Sequence, residues 1–226
     1  MKRLFIMLGL VLLSGCSLRV LDPKTSTGQD QANLIYLSFG IMMVVLVVVF
    51  VLFALFVTKY RETESNQNVI PEDSAGDRRL EITWTVIPVI LLTILAIPTV
   101  QITYDLASTD AESEETVHID VVAEQFNWNF NYENGKATEN EVIIPKGQEV
   151  VFHLESADVV HSFWIPQLSG KTDVIPGEEL VQSFTPQETG TYQGKCAEFC
   201  GSLHAVMRFE TKVVEQDEFE DWLDNE

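Results

Sequence analysis

The chain changes character along its length. Residues 34–57 carry no charge and are apolar on every face of a helix. At 1.5 Å per residue such a helix reaches about 36 Å, enough for a hydrocarbon core. Residues 82–104 form a second uncharged run, about 34 Å long by the same rule. It holds Pro88 and Pro98, which membrane helices tolerate better than soluble ones. A two-helix transmembrane hairpin is predicted.

Beyond it the period falls to two. Val117, Ile119, Val121 and Ala123 alternate with His118, Asp120 and Val122, and an aromatic–polar alternation runs from Phe126 to Tyr132. The turn Glu133-Asn134-Gly135 follows, and further short strands fit residues 141–144, 149–154, 180–184, 191–194 and 206–214. Pro145-Lys146-Gly147, Pro176-Gly177 and Thr189-Gly190 punctuate them. Short strands at this spacing predict an all-β sandwich or barrel. Residues 215–223 fit a closing helix with Phe219, Trp222 and Leu223 on one side.

Composition sharpens the division. The 226 residues are 46% hydrophobic yet carry a net charge of −20. Residues 105–226 hold 26 acids against 6 bases, whereas residues 1–104 hold 8 of each, so the second part carries the whole imbalance. That much apolar content excludes a disordered chain, and the acidity excludes a nucleic-acid partner. At the start, Lys2 and Arg3 precede an apolar stretch that ends Leu13-Ser14-Gly15-Cys16. Residues 1–15 therefore read as a signal peptide. The last four resemble a bacterial lipobox, which implies a lipid anchor on Cys16. Lys59, Arg61, Arg78 and Arg79 flank the loop between the helices, which places it in the cytoplasm by the positive-inside rule. The expected organisation is a signal peptide (1–15), an N-terminal segment with the hairpin (16–104), and an extracytoplasmic domain (105–226). The chain is then a multi-pass protein of a bacterial cell membrane, with both termini outside.

The informative chemistry lies between Cys196 and Met207. The stretch reads C-A-E-F-C-G-S-L-H-A-V-M, and His161 stands upstream. Thiolate and thioether suit copper, and imidazole suits it in either oxidation state. A disulfide between Cys196 and Cys200 would leave His204 and Met207 unexplained. A single-copper blue site needs one Cys, two His and an axial Met. His161, Cys200, His204 and Met207 would supply it and leave Cys196 spare. A second thiolate so near also permits both sulfurs to bridge two ions.

Residues 34–226 resemble subunit II of the haem–copper cytochrome c oxidases, and C-x-E-x-C-G-x-x-H-x-x-M matches the signature of its binuclear copper A centre. The resemblance implies a cupredoxin-like domain holding two copper ions. Cys196 and Cys200 bridge both; His161 and Met207 complete one ion, and His204 and the Glu198 carbonyl the other. It also implies electron transfer from cytochrome c to haem in subunit I, where oxygen is reduced to water. Leu80-Glu81-Ile82-Thr83-Trp84 resembles the start of the family's second membrane helix, which implies that Glu81 stands at the mouth of a proton channel. Lys171-Thr172-Asp173-Val174 also matches, implying a magnesium site near Asp173 and Glu198 shared with subunit I. Relatives read Q-W-x-W where this chain has Gln125-Phe126-Asn127-Trp128; the resemblance implies electron entry at Phe126, which replaces the first Trp, and at Trp128, whose alternative is a core role. No C-x-x-C-H follows the domain, so a separate cytochrome donor is expected, with subunit I and other oxidase subunits as partners. Glu155, Asp158 and Glu198 are candidate docking acids, the alternative being an acidic exterior suited to the medium. Two other readings are a quinol oxidase subunit II, a branch that lacks the copper ligands, and a membrane-anchored blue-copper or copper-carrier lipoprotein.

Overall fold

The computed structural model describes residues 19–64, 66, 67, 70, 75–107 and 116–225. Cys16, the signal segment and the acidic stretch 110–115 lie outside them. The chain divides into two compact units. One comprises the β domain with the segment up to Ala32, the other Asn33–Ser108.

Two helices are long and apolar enough to cross a membrane, α1 (Ser26–Lys59) and α2 (Arg78–Ala107, apolar to Tyr104). Both outrun the uncharged stretches by several residues, because polar residues extend the helix beyond each apolar run. No residue of either apolar window is buried by protein, and Phe39, Phe53, Trp84 and Leu92 stand exposed. A surface apolar on every face requires lipid or another chain. Thr83, Thr85, Thr93, Thr99 and Thr103 in α2 each donate a hydroxyl hydrogen bond to the carbonyl four residues back, at 2.7–2.9 Å. Inside a bilayer no water could take those protons.

The β domain is a sandwich of two mixed five-stranded sheets. The strands are β1 (Val117–Glu124), β2 (Asn127–Tyr132), β3 (Ala137–Glu139), β4 (Glu141–Pro145), β5 (Val150–Ser156), β6 (His161–Trp164), β7 (Lys171–Val174), β8 (Leu180–Phe184), β9 (Gly190–Cys196) and β10 (Arg208–Val214). One sheet has the order β3-β2-β1-β5-β8, the other β4-β10-β9-β6-β7. The β1–β5 and β4–β10 pairs are parallel, and the others antiparallel. Two apolar helices followed by a cupredoxin-like β sandwich is the architecture expected from the sequence.

Three differences have physical causes. Strands β3, β6 and β7 are only three or four residues long, too short for a period-two pattern to register; β6 also buries successive side chains. β2 starts at Asn127 because Gln125 and Phe126 form a turn. β10 starts at Arg208 because His204–Val206 coil into one 3-10 turn.

The alternation in β1 and β2 buries Ile119, Val121, Trp128 and Phe130. Phe163 lies at the centre, its ring centroid 5.0–5.4 Å from those of Trp128, Phe152 and Phe209. Gly194 faces Phe209 in the β9–β10 register. A β-carbon there would stand 2.1 Å from the ring, so only glycine admits Phe209 to the core. Helix α3 (Gln216–Asp224) closes one end, with Trp222 5.0 Å from the ring of Tyr132. Burial pushes the Tyr132 phenol pKa up; the hydroxyl donates to the Ile143 carbonyl and accepts from its N–H.

Residues before α1 pack on this domain. The Lys24 N–H donates to the Gln167 carbonyl, and the Gln187 N–H to that of Lys24. The buried Thr25 hydroxyl donates to the Leu168 carbonyl and accepts from the Gly28 N–H. The Lys24 ammonium lies 2.9 Å from Glu188 and 3.2 Å from Asp22.

Candidate metal centre

Soft and borderline donor atoms converge at one end of the sandwich. His161 opens β6 and Cys196 closes β9; Cys200, His204 and Met207 lie on the connection to β10. Cys196 Sγ and Cys200 Sγ are 3.8 Å apart, and both cysteines are free. No disulfide joins them, since that bond needs about 2.05 Å. His161 Nδ1 stands 3.8 Å from Cys196 Sγ, and His204 Nδ1 3.7 Å from Cys200 Sγ. Met207 Sδ is 3.6 Å from Cys200 Sγ, and the Glu198 carbonyl oxygen 3.1 Å from Cys196 Sγ.

These separations fit metal ligation. Donors held about 2.3 Å from a tetrahedral ion lie about 3.8 Å apart. His161, Cys196 and Cys200, all buried, bring one donor atom each within 4.8 Å of the others. Burial, and then the neighbouring Cys196, pushes the Cys200 thiol up to about 11. A thiol protonated at neutral pH loses that proton to a bound ion.

The surroundings hold the donors in place. The Cys196 N–H donates to the Met207 carbonyl, and the Ala197 N–H to that of Ser162, tying the ligand loop to β6. The 3-10 turn points His204 and Met207 back toward the sulfurs. Gly201 has φ 137°, and a β-carbon there would lie 2.8 Å from the Gln125 amide nitrogen. That amide donates to the Cys200 carbonyl.

Asp158 is the residue that sequence reasoning placed differently. Its carboxylate lies 2.8 Å from His161 Nε2 and also accepts from the N–H groups of Gln125 and Val159. Burial pushes the Asp158 carboxyl up, but these hydrogen bonds outweigh it and hold its pKa below the usual range. A carboxylate only accepts, so Nε2 carries the proton and Nδ1 turns its lone pair toward the sulfurs. Such partners orient and strengthen a ligating histidine. The D-x-x-H spacing was the available signal. Asp158→Asn should weaken metal retention about 10- to 100-fold, measured by competition with a chelator, while the fold persists.

The other candidates are scattered. Trp128 is fully buried, edge-on to His161 at 6.1 Å. Phe126 is half-buried, against the position a Gly201 β-carbon would take. Asp173 is exposed on β7, in register with Ser162, and the Glu198 side chain is exposed. Glu81 lies in the first turn of α2, in the other unit. Phe199, Leu203 and Val206 on the ligand loop are exposed, as are Val159 and Val160 just before His161.

Fold and site together define a membrane-inserted protein whose β domain presents paired thiols, imidazoles and a thioether to a metal. Residues 20–102 match the family model of the cytochrome c oxidase subunit II transmembrane domain, and residues 129–214 that of the periplasmic domain. The chain is 42% identical to cytochrome c oxidase subunit 2 of Alkalihalophilus pseudofirmus, over 94% of this chain and 64% of that protein. It is 40% identical to cytochrome c oxidase subunit 2 of Bacillus subtilis, over 97% of this chain and 67% of that one. A quinol oxidase subunit 2 of Bacillus spizizenii is 35% identical, over 93% of this chain and 67% of the relative. The crystal structure of the periplasmic domain of subunit II of cytochrome oxidase of Bradyrhizobium japonicum aligns with TM-score 0.46 and 31% identity, covering 47% of this chain and 90% of that one. The chain belongs to the cytochrome c oxidase subunit II family. It spans about two thirds of the length of these curated relatives.

Proposed function

We propose that this chain is the electron-accepting subunit of a respiratory terminal oxidase. It takes one electron at a time from cytochrome c at a binuclear copper centre and passes it to haem in subunit I, where oxygen is reduced to water. The supporting observation is the convergence of four further donors on two thiols 3.8 Å apart. When bound, two copper ions sharing two thiolates would spread one electron over both and change geometry little on reduction. His161 and Met207 would complete one ion, His204 and the Glu198 carbonyl the other. Asp158 orients His161, and the buried aromatic core holds the strands that carry the ligands.

The quinol reading is favoured by relatives with that name. The ligand set supports the cytochrome reading over it, because a quinol-oxidising subunit has no use for paired thiolates. The apolar rim of Phe199, Leu203 and Val206 is the proposed contact for the donor. The acidic domain would steer a basic cytochrome through its long-range field, with Glu155 and Glu198 as docking acids. Phe126 would be the aromatic nearest electron arrival. Glu81 is proposed at a proton-channel mouth, Asp173 and Glu198 beside a shared magnesium, and Cys16 as the lipidated residue of an outward-facing domain.

The test is copper reconstitution of the full chain followed by mixing with reduced cytochrome c. Two coppers per chain with a seven-line mixed-valence EPR signal, and cytochrome oxidation that slows with salt, are expected. One copper with a four-line signal would identify a blue-copper module. Failure to take up copper, with oxidation of quinol by the assembled complex, would identify the quinol branch.

A further inference from the structure

The other two histidines form a second constellation, which the copper site does not use. His118 on β1 and His153 on β5 lie side by side on the outer face of their sheet. His118 Nδ1 is 3.1 Å from His153 Nε2, and the rings stack at a centroid distance of 5.4 Å. On its far side, His153 Nδ1 lies 2.9 Å from the Glu179 carboxylate. Asp120 stands in register with His153 across the parallel β1–β5 pair. Asp120, Glu155 and Glu179 line a depression with His153. His118 lies six residues before the end of β1, about 20 Å along the strand from the turn that supports the metal loop.

We propose that this pair is a second metal site, for a borderline divalent cation of the zinc class. The protons argue for it. Glu179 only accepts, so in the neutral ring His153 Nδ1 carries the hydrogen and Nε2 presents its lone pair to His118. That is the carboxylate–histidine–metal arrangement, in which the outer carboxylate fixes the tautomer and raises ligand basicity. Two nitrogens 3.1 Å apart and each about 2.05 Å from one ion subtend roughly 100°, close to tetrahedral. Water completes the shell. The side chains of His153 and Glu179 are 27% and 55% exposed, so an ion reaches the site without the sheet opening. The surrounding carboxylates favour a cation, and the imidazole pair selects a transition metal over magnesium or calcium. The inference does not rest on the copper reading.

The test is equilibrium dialysis of the full chain in detergent against zinc chloride, with and without prior copper loading. One zinc per chain is expected beyond any held by the thiols. It should disappear in His118→Gln and in His153→Gln, with the copper spectrum and thermal midpoint of the copper-loaded protein unaltered. Glu179→Gln, at an exposed position, should raise the zinc dissociation constant about tenfold or more, and serves should a histidine variant fail to fold. Equal zinc uptake by wild type and all three variants would overturn the proposal. So would the absence of this equivalent from wild type, which would leave an imidazole–imidazole hydrogen bond only.

Discussion

Under the proposed function, Cys200→Ser should abolish the binuclear centre. Cys200 Sγ is the hub of the site, 3.8 Å from Cys196 Sγ, 3.7 Å from His204 Nδ1 and 3.6 Å from Met207 Sδ. A serine oxygen is a hard donor on a shorter bond, and it keeps its proton at neutral pH. The expected result is a fall from two bound coppers to at most one, with loss of the mixed-valence EPR signal and of cytochrome c oxidation. Copper analysis and EPR of the purified chain check it. The raised Cys200 pKa adds a pH dependence. Because burial holds this thiol protonated up to about pH 11, the ion displaces a proton on binding. Copper affinity should therefore weaken as pH falls, with proton release visible in weakly buffered solution. A fold lost in the variant would show as a collapsed circular dichroism spectrum, so that control accompanies the copper count.

Phe163→Ala should produce the largest loss of stability. The ring is fully buried and packs within 5.0–5.4 Å, centroid to centroid, of Trp128, Phe152 and Phe209. Removing an enclosed aromatic typically costs about 3–5 kcal/mol, the transfer free energy plus the residual cavity. Denaturant unfolding of the chain in detergent measures it. The substitution also reaches the metal. Phe163 pairs with Cys196 across β6 and β9, and its neighbour Ser162 accepts the Ala197 N–H. Copper affinity should fall with stability, although Phe163 donates nothing to the ion.

Much of this architecture is legible from residue order, for identifiable reasons. An uncharged run longer than a bilayer has few soluble homes, and residues 34–57 needed no tertiary information. Five of the six proposed donors lie within twelve consecutive positions, so their chemistry appears on the page as a motif. What escaped depends on contacts between distant parts of the chain. His161 could be named, but β6, which aims it, is four residues with no alternation. Asp158 looked like a surface acid until its neighbour's ring turned toward it. His118 and His153 sit on separate strands and meet only through the parallel β1–β5 register. Thr25 and Lys24, ahead of a membrane helix, gave no hint that their partners are Leu168, Gln167 and Glu188.

The parallel pairing of β10 with β4 has a consequence in time. Glu210 pairs with Glu141 and Val214 with Pro145, so that contact closes a loop of roughly seventy residues. Loops of that size are slow to close and dominate the search for the native topology. During synthesis, β10 emerges after every other strand, and the ligand loop precedes it directly. A nascent chain thus exposes both cysteines and His204 before the strand that anchors Met207 has docked. Docking of β10 onto β4 is thus expected late in folding, with the donor set incomplete until then.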